Sequence, residues 1–167
     1  MTFSLDMTLK YDPTDARATR KGFQKWWAMA LAPKGLHDYY AHWLMKTHGV
    51  KLTLPLWGVH LTVIRGELPR HLRNWRKYDG QTFRVYYDGS DLQYSDKYAW
   101  LPAHSPDLEA VRRELGLRSQ PKVAFHVTLG NRKNLELPKK RVFNPVVFPW
   151  EKHNFESYEY REFSPAK

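Results

Sequence analysis

WGVHLTV, residues 57–63, places a histidine and a threonine two positions apart inside an apolar run. AFHVTLGN, residues 124–131, repeats the order: His, apolar, Thr, apolar. Successive side chains of a strand point to opposite faces, so residues i and i+2 share one. His60 and Thr62 then point one way, and Leu61 and Val63 the other. His126 and Thr128 likewise oppose Val127 and Leu129. The aliphatic sides can pack against helices, which leaves the polar pairs on the uncovered face. One such match is expected roughly 0.08 times in a chain of ordinary His, Thr and apolar content, so an accidental pair is rare.

The rest of the chain sets these stretches in equivalent places. KWWAMALAP reads as a strand in which Trp27, Met29 and Leu31 share a face. LHDYYAHWLMKTHG reads as a helix stopped by Gly49, with Leu36, Tyr40, Trp43, Leu44 and Thr47 at helical spacing. LPLWGVHLTVIRG and QTFRVYYDG follow as strands, joined by the basic connection RHLRNWRKYDG. KYAWLPA is another strand. Ser105 then caps a second helix, with Pro106 at its first position and Gly116 at its end. KVAFHVTLGN is the next strand, and RVFNPVVFPW is a last one, interrupted by Pro145.

The order strand–helix–strand–strand therefore occurs twice. The expected class is α+β, with two pseudo-symmetric halves whose antiparallel sheets face a central cleft. The chain, residues 1–167, reads as a single domain. Residues 1–24 look polar and weakly patterned, hence an arm or short helix, and residues 149–167 a C-terminal tail. Lys10 and Tyr11 of the arm are candidates to close over a ligand.

The chain carries no cysteine, which excludes disulfides and thiolate chemistry and fits a reducing compartment. No leader pattern opens it, and no apolar run approaches the roughly 20 residues that span a bilayer. The expected location is cytoplasmic, with no membrane partner. The formal charge of +10 favours a polyanionic partner, nucleic acid first.

Two facing imidazoles suit acid–base work near neutral pH. One can take a proton from a nucleophile while the other gives one to a leaving oxygen. Threonine hydroxyls can donate to anionic oxygens. A phosphodiester needs all of these. A metal reading needs a third ligand; His37, His42 and His48 do not share one helical face, and no HExxH occurs. No metal or cofactor is expected.

HLTV at His60 and HVTL at His126 resemble the paired signatures of the 2H phosphoesterase superfamily. That superfamily includes the LigT-like RNA cyclic phosphodiesterases and viral enzymes that degrade nucleotide signals. The resemblance covers about residues 25–148 and extends to the block YAWLPAHSPDLEAVRRELGL. WGVHLTVIRGE and FHVTLGN also look like uncharacterised bacteriophage members. The resemblance implies a bilobal 2H phosphoesterase-like fold and a metal-independent phosphodiesterase. It implies that His60 and His126 are general base and acid, in either order, and that Thr62 and Thr128 bind phosphate. The implied substrates are RNA-like: a 2′,3′-cyclic phosphate end, a 2′,5′-linked oligonucleotide or a cyclic oligonucleotide messenger. A phage anti-defence role in the host cytoplasm would follow. The alternative is an RNA-binding module without turnover.

Three more residues are candidates for substrate binding. Trp57 can stack on a base or fill the core. Arg65 and Arg132, five and six residues past the two histidines, can hold a phosphate or stand as strand-end charges.

Overall fold

The computed structural model describes residues 2–13 and 26–132. The strands are β1 (Thr2–Tyr11), β2 (Trp27–Leu31), β3 (Leu52–Thr53), β4 (His60–Arg65), β5 (Thr82–Asp88), β6 (Gln93–Tyr94), β7 (Tyr98–His104) and β8 (His126–Arg132). The helices are α1 (Gly35–His48), between β2 and β3, and α2 (Pro106–Glu114), between β7 and β8. The class is α+β. Hydrogen bonding runs around six antiparallel strands in the order β8-β4-β2-β1-β5-β7, and the β7–β8 pairing closes the ring into a barrel. The short strands β3 and β6 extend it beside β8 and β7.

The first strand corrects the expectation of an N-terminal arm. TFSLDMTLKY alternates: Phe3, Leu5, Met7, Leu9 and Tyr11 take the more buried positions, and Ser4, Asp6, Thr8 and Lys10 the exposed ones. That period of two belongs to a half-buried strand. β1 joins β2 to β5, so the ring cannot close without it. Tyr11 is no lid: it is buried in the core, packed edge-on against Trp75 with ring centroids 4.8 Å apart. The last strand expected from RVFNPVVFPW and the tail at 149–167 lie outside the described residues.

The core fills from these alternations. Met7, Leu9, Ala28, Ala30, Leu61, Val63, Leu101, Val127 and Leu129 are all fully buried. α1 packs against β8 and β3, and α2 against β4 and β5. His37 on α1 donates from Nδ1 to the Leu129 carbonyl at 2.8 Å, which gives this buried histidine a structural role. Ser105 caps α2 as expected, accepting from the Leu108 N–H at 3.4 Å and donating to the Arg84 carbonyl at 2.7 Å. Among the described residues, no helix is long and apolar enough to cross a membrane.

Gly116 ends α2 with φ +73°, and a Cβ there would stand 2.8 Å from Arg70 Cβ. Gly116→Ala therefore meets both the left-handed penalty, about 1–2 kcal/mol, and a side-chain stem held close to its backbone. A lower urea midpoint with an unchanged m-value is the expected result.

Candidate active site

The two motif strands are immediate neighbours. β4 and β8 pair antiparallel, with His60 opposite Thr128 and Leu61 opposite Val127. Directly opposed residues on a sheet have Cβ atoms about 4.5–5.5 Å apart. Each motif thus buries its aliphatic residues on one face of the sheet and sets its polar ones on the other. His60, Thr62, His126 and Thr128 are half-buried, while Leu61, Val63, Val127 and Leu129 are buried. All four polar side chains line one groove of about 550 Å³.

The strands on the far sides are placed alike. On β2, Leu31 lies opposite His60 and Met29 opposite Thr62. On β7, Pro102 lies opposite His126 and Trp100 opposite Thr128. The register shifts at the equivalent step in each, between Ala28 and Met29 and between Ala99 and Trp100. Bulges bend a strand and re-aim its side chains. Here they break the alternation of both motif strands in the same way. Ile64 and Gly130 are buried beside Val63 and Leu129, and Arg65 and Asn131 follow as exposed residues.

The histidines share one further contact. His60 Nδ1 lies 2.8 Å from the Gly58 carbonyl, and His126 Nδ1 lies 2.9 Å from the Ala124 carbonyl. A carbonyl only accepts, so both Nδ1 atoms carry the proton. Each neutral ring then has its lone pair on Nε2, and each charged ring has its transferable proton there. Gly58 is in the left-handed region, φ +75°, which suits glycine in the turn that supplies this carbonyl.

Burial is the main cause that holds His60 below the usual imidazole range, and the nearby His126 and Arg65 charges act in the same direction. The Gly58 bond opposes them without reversing the shift. His60 is therefore neutral around pH 7 and suited to accept a proton on Nε2.

Of the other expected binding residues, Arg65 lines the groove, its guanidinium 5.4 Å from the Trp27 ring centroid. Trp57 packs edge-on against Trp27, centroids 5.6 Å apart, and is not among the groove-lining residues. Arg132 also stands apart from the groove lining. It donates to the Ser95 carbonyl at 2.6 Å and lies over the Tyr94 ring at 5.2 Å. The structural counterpart of Arg65 is Asn131: Arg65 lies opposite Trp27, and Asn131 opposite Tyr98. Both follow their histidine by five residues, and that equal step was the signal in the sequence. Tyr98, Lys122 and Asn131 line the groove and were not singled out from sequence. Tyr98 is 41% exposed, which leaves its ring accessible at the rim.

Among the described residues, no three His, Asp or Glu side chains gather as a metal site would require. No family model, curated protein or solved structure matches the chain.

Proposed function

We propose that the chain is a metal-independent phosphodiesterase of the 2H type, acting on an RNA-like substrate. The observation that carries this reading is the matched pair of histidines. Both are fixed through Nδ1 to a carbonyl two residues back, and both line one groove with the two threonines. The equivalent registers of β2 on β4 and of β7 on β8 support the two-halved plan of that superfamily.

In the proposed reaction His60 Nε2 takes the proton of the nucleophile, water or a ribose 2′-hydroxyl. The new P–O bond forms as the bond to the leaving oxygen breaks. His126 Nε2–H gives its proton to that oxygen. Thr62 and Thr128 donate to the non-bridging oxygens, where negative charge builds up. Asn131 and Arg65 at the rim add donors, and Tyr98 offers a face for a base.

The test is nuclease-free protein in EDTA with three substrates: a 2′,3′-cyclic phosphate end, a 2′,5′-linked oligonucleotide and a cyclic dinucleotide. Turnover of at least one, lost in His60→Ala, is expected. RNA binding without turnover of any would make the chain a binding module instead.

The threonines give a graded version of this test. A hydrogen bond to a charged oxygen is worth about 1.5–3 kcal/mol. Thr62→Val and Thr128→Val should each slow the chemical step by roughly 10- to 100-fold, less than loss of either histidine. Single-turnover rates at saturating protein read this directly.

A further inference from the structure

The groove does not end at the motif residues. Its wall at Pro121 and Lys122 is shared with a second depression of about 670 Å³, which Arg113 and Arg118 also line. A third depression, about 450 Å³, shares Arg118 and adds Arg70. Lys122, Arg118, Arg113 and Arg70 thus border one trough that leads away from the histidines.

The charges along it are mostly positive. Arg70, Arg118 and Lys122 are exposed and make no ion pair among the described residues. Among the described residues Arg113 has one loose ion pair, 3.7 Å to the half-buried Glu109. Glu67, which lines both the groove and the third depression, is engaged by Arg112 through two bonds of 2.8 Å and also feels the Arg118 charge. A surface built for solubility alone mixes both signs; here the free charge is positive.

The loop that carries Arg118 and Lys122 is also fixed. Arg112 is fully buried and donates to the Arg118 carbonyl at 2.8 Å and to the Val63 carbonyl at 2.6 Å. One guanidinium therefore ties the loop to β4, next to Thr62. Arg70 is held in turn by its N–H on the Leu115 carbonyl, 2.9 Å. Cations presented from a fixed backbone lose less freedom on binding than those of a free chain.

We infer that this trough is a second phosphate-binding subsite, continuous with the groove, and that the substrate is an oligonucleotide rather than a mononucleotide. The inference rests on the phosphodiesterase reading of the groove. Cations that grip the backbone carry register and affinity, not base sequence. Chains with more than one phosphate should bind more tightly than a single nucleotide, and more steeply with falling salt.

The experiment compares wild type with Arg113→Gln/Arg118→Gln on two probes, a nucleoside 2′,3′-cyclic phosphate and a tetranucleotide with the same end. Both changes leave the backbone carbonyl held by Arg112 in place. Expected is a fall of about tenfold in kcat/KM for the tetranucleotide, with the mononucleotide unchanged. Binding of the tetranucleotide to a His60→Ala/His126→Ala background should lose about 1.4 from its log–log salt slope when the arginines are replaced, for two phosphate contacts. Equal effects on both probes, or none on either, overturn the inference while turnover upholds the phosphodiesterase reading. Charge-dependent tetranucleotide binding without turnover of either probe would keep the trough and remove that reading.

Discussion

Replacing His60 or His126 by alanine is expected to slow the chemical step by about 10²–10⁴-fold, with substrate binding changed only a few-fold. The reason is positional. Each Nδ1 is committed to a carbonyl, so each ring has a single nitrogen left for proton transfer. Among the described residues, nothing else that lines the groove replaces an imidazole; Glu67 is held ionised by Arg112. The threonine hydroxyls survive either change, which is why affinity should persist. Rapid-quench single-turnover rates, set beside equilibrium binding of the same substrate, separate the two effects. Equal losses in rate and affinity would mean that the histidines hold the substrate rather than move its protons.

The second large effect is on stability. Arg112 has no exposed side-chain surface and binds Glu67, two loop carbonyls and the Val63 carbonyl. Arg112→Ala should lower unfolding stability by about 3–5 kcal/mol, the usual cost of breaking a buried pair from one side. That is a large share of the 5–15 kcal/mol, roughly, that holds a domain together. Urea unfolding followed by tryptophan fluorescence measures it. Glu67→Gln should cost less, because Glu67 is 31% exposed and water can replace part of what it loses.

The same pair sets a pH dependence. The Arg112 hydrogen bonds hold the Glu67 carboxyl below the usual carboxylate range, against the effect of burial. The folded state thus favours the charged form. Its contribution is complete above the unfolded value, about 4.3, and is lost as pH falls through the lower folded value. Glu67→Gln removes this part of the acid sensitivity, so its stability should fall less steeply than wild type below that pH.

The two polar pairs were legible in the sequence because a strand's period of two is rigid. His60 with Thr62, and His126 with Thr128, could share a face only if both stretches were strands. Both helices were legible too, down to Ser105, Pro106 and Gly116 at the ends of α2. β1 was readable and was missed: Asp6 and Lys10 gave a polar impression, yet they occupy the outer face of a clean alternation. One of its partners, β5, is far along the chain, and no local pattern announces such a pairing. The rim was the least legible part. Arg132 drew notice because it carries a charge, but two bulges decide which residue emerges beside the groove. The extra residues, Val63 and Leu129, lie within the two motifs, but pairing with the neighbouring strand is what makes each a bulge.

The central claim is that His60 and His126 act as one acid–base pair. The measurement that reaches it most directly is the pH profile of the single-turnover rate, in EDTA, for wild type and the two alanine variants. A bell-shaped profile is expected. Its acid limb should lie below the ordinary imidazole value, about 6.5, because His60 must be neutral to accept a proton and burial favours that form. Its alkaline limb should mark loss of the proton that is passed to the leaving oxygen, with both apparent values belonging to the pair. His60→Ala should remove the acid limb along with most of the rate. A rate independent of pH, or full activity in His126→Ala, would contradict the account.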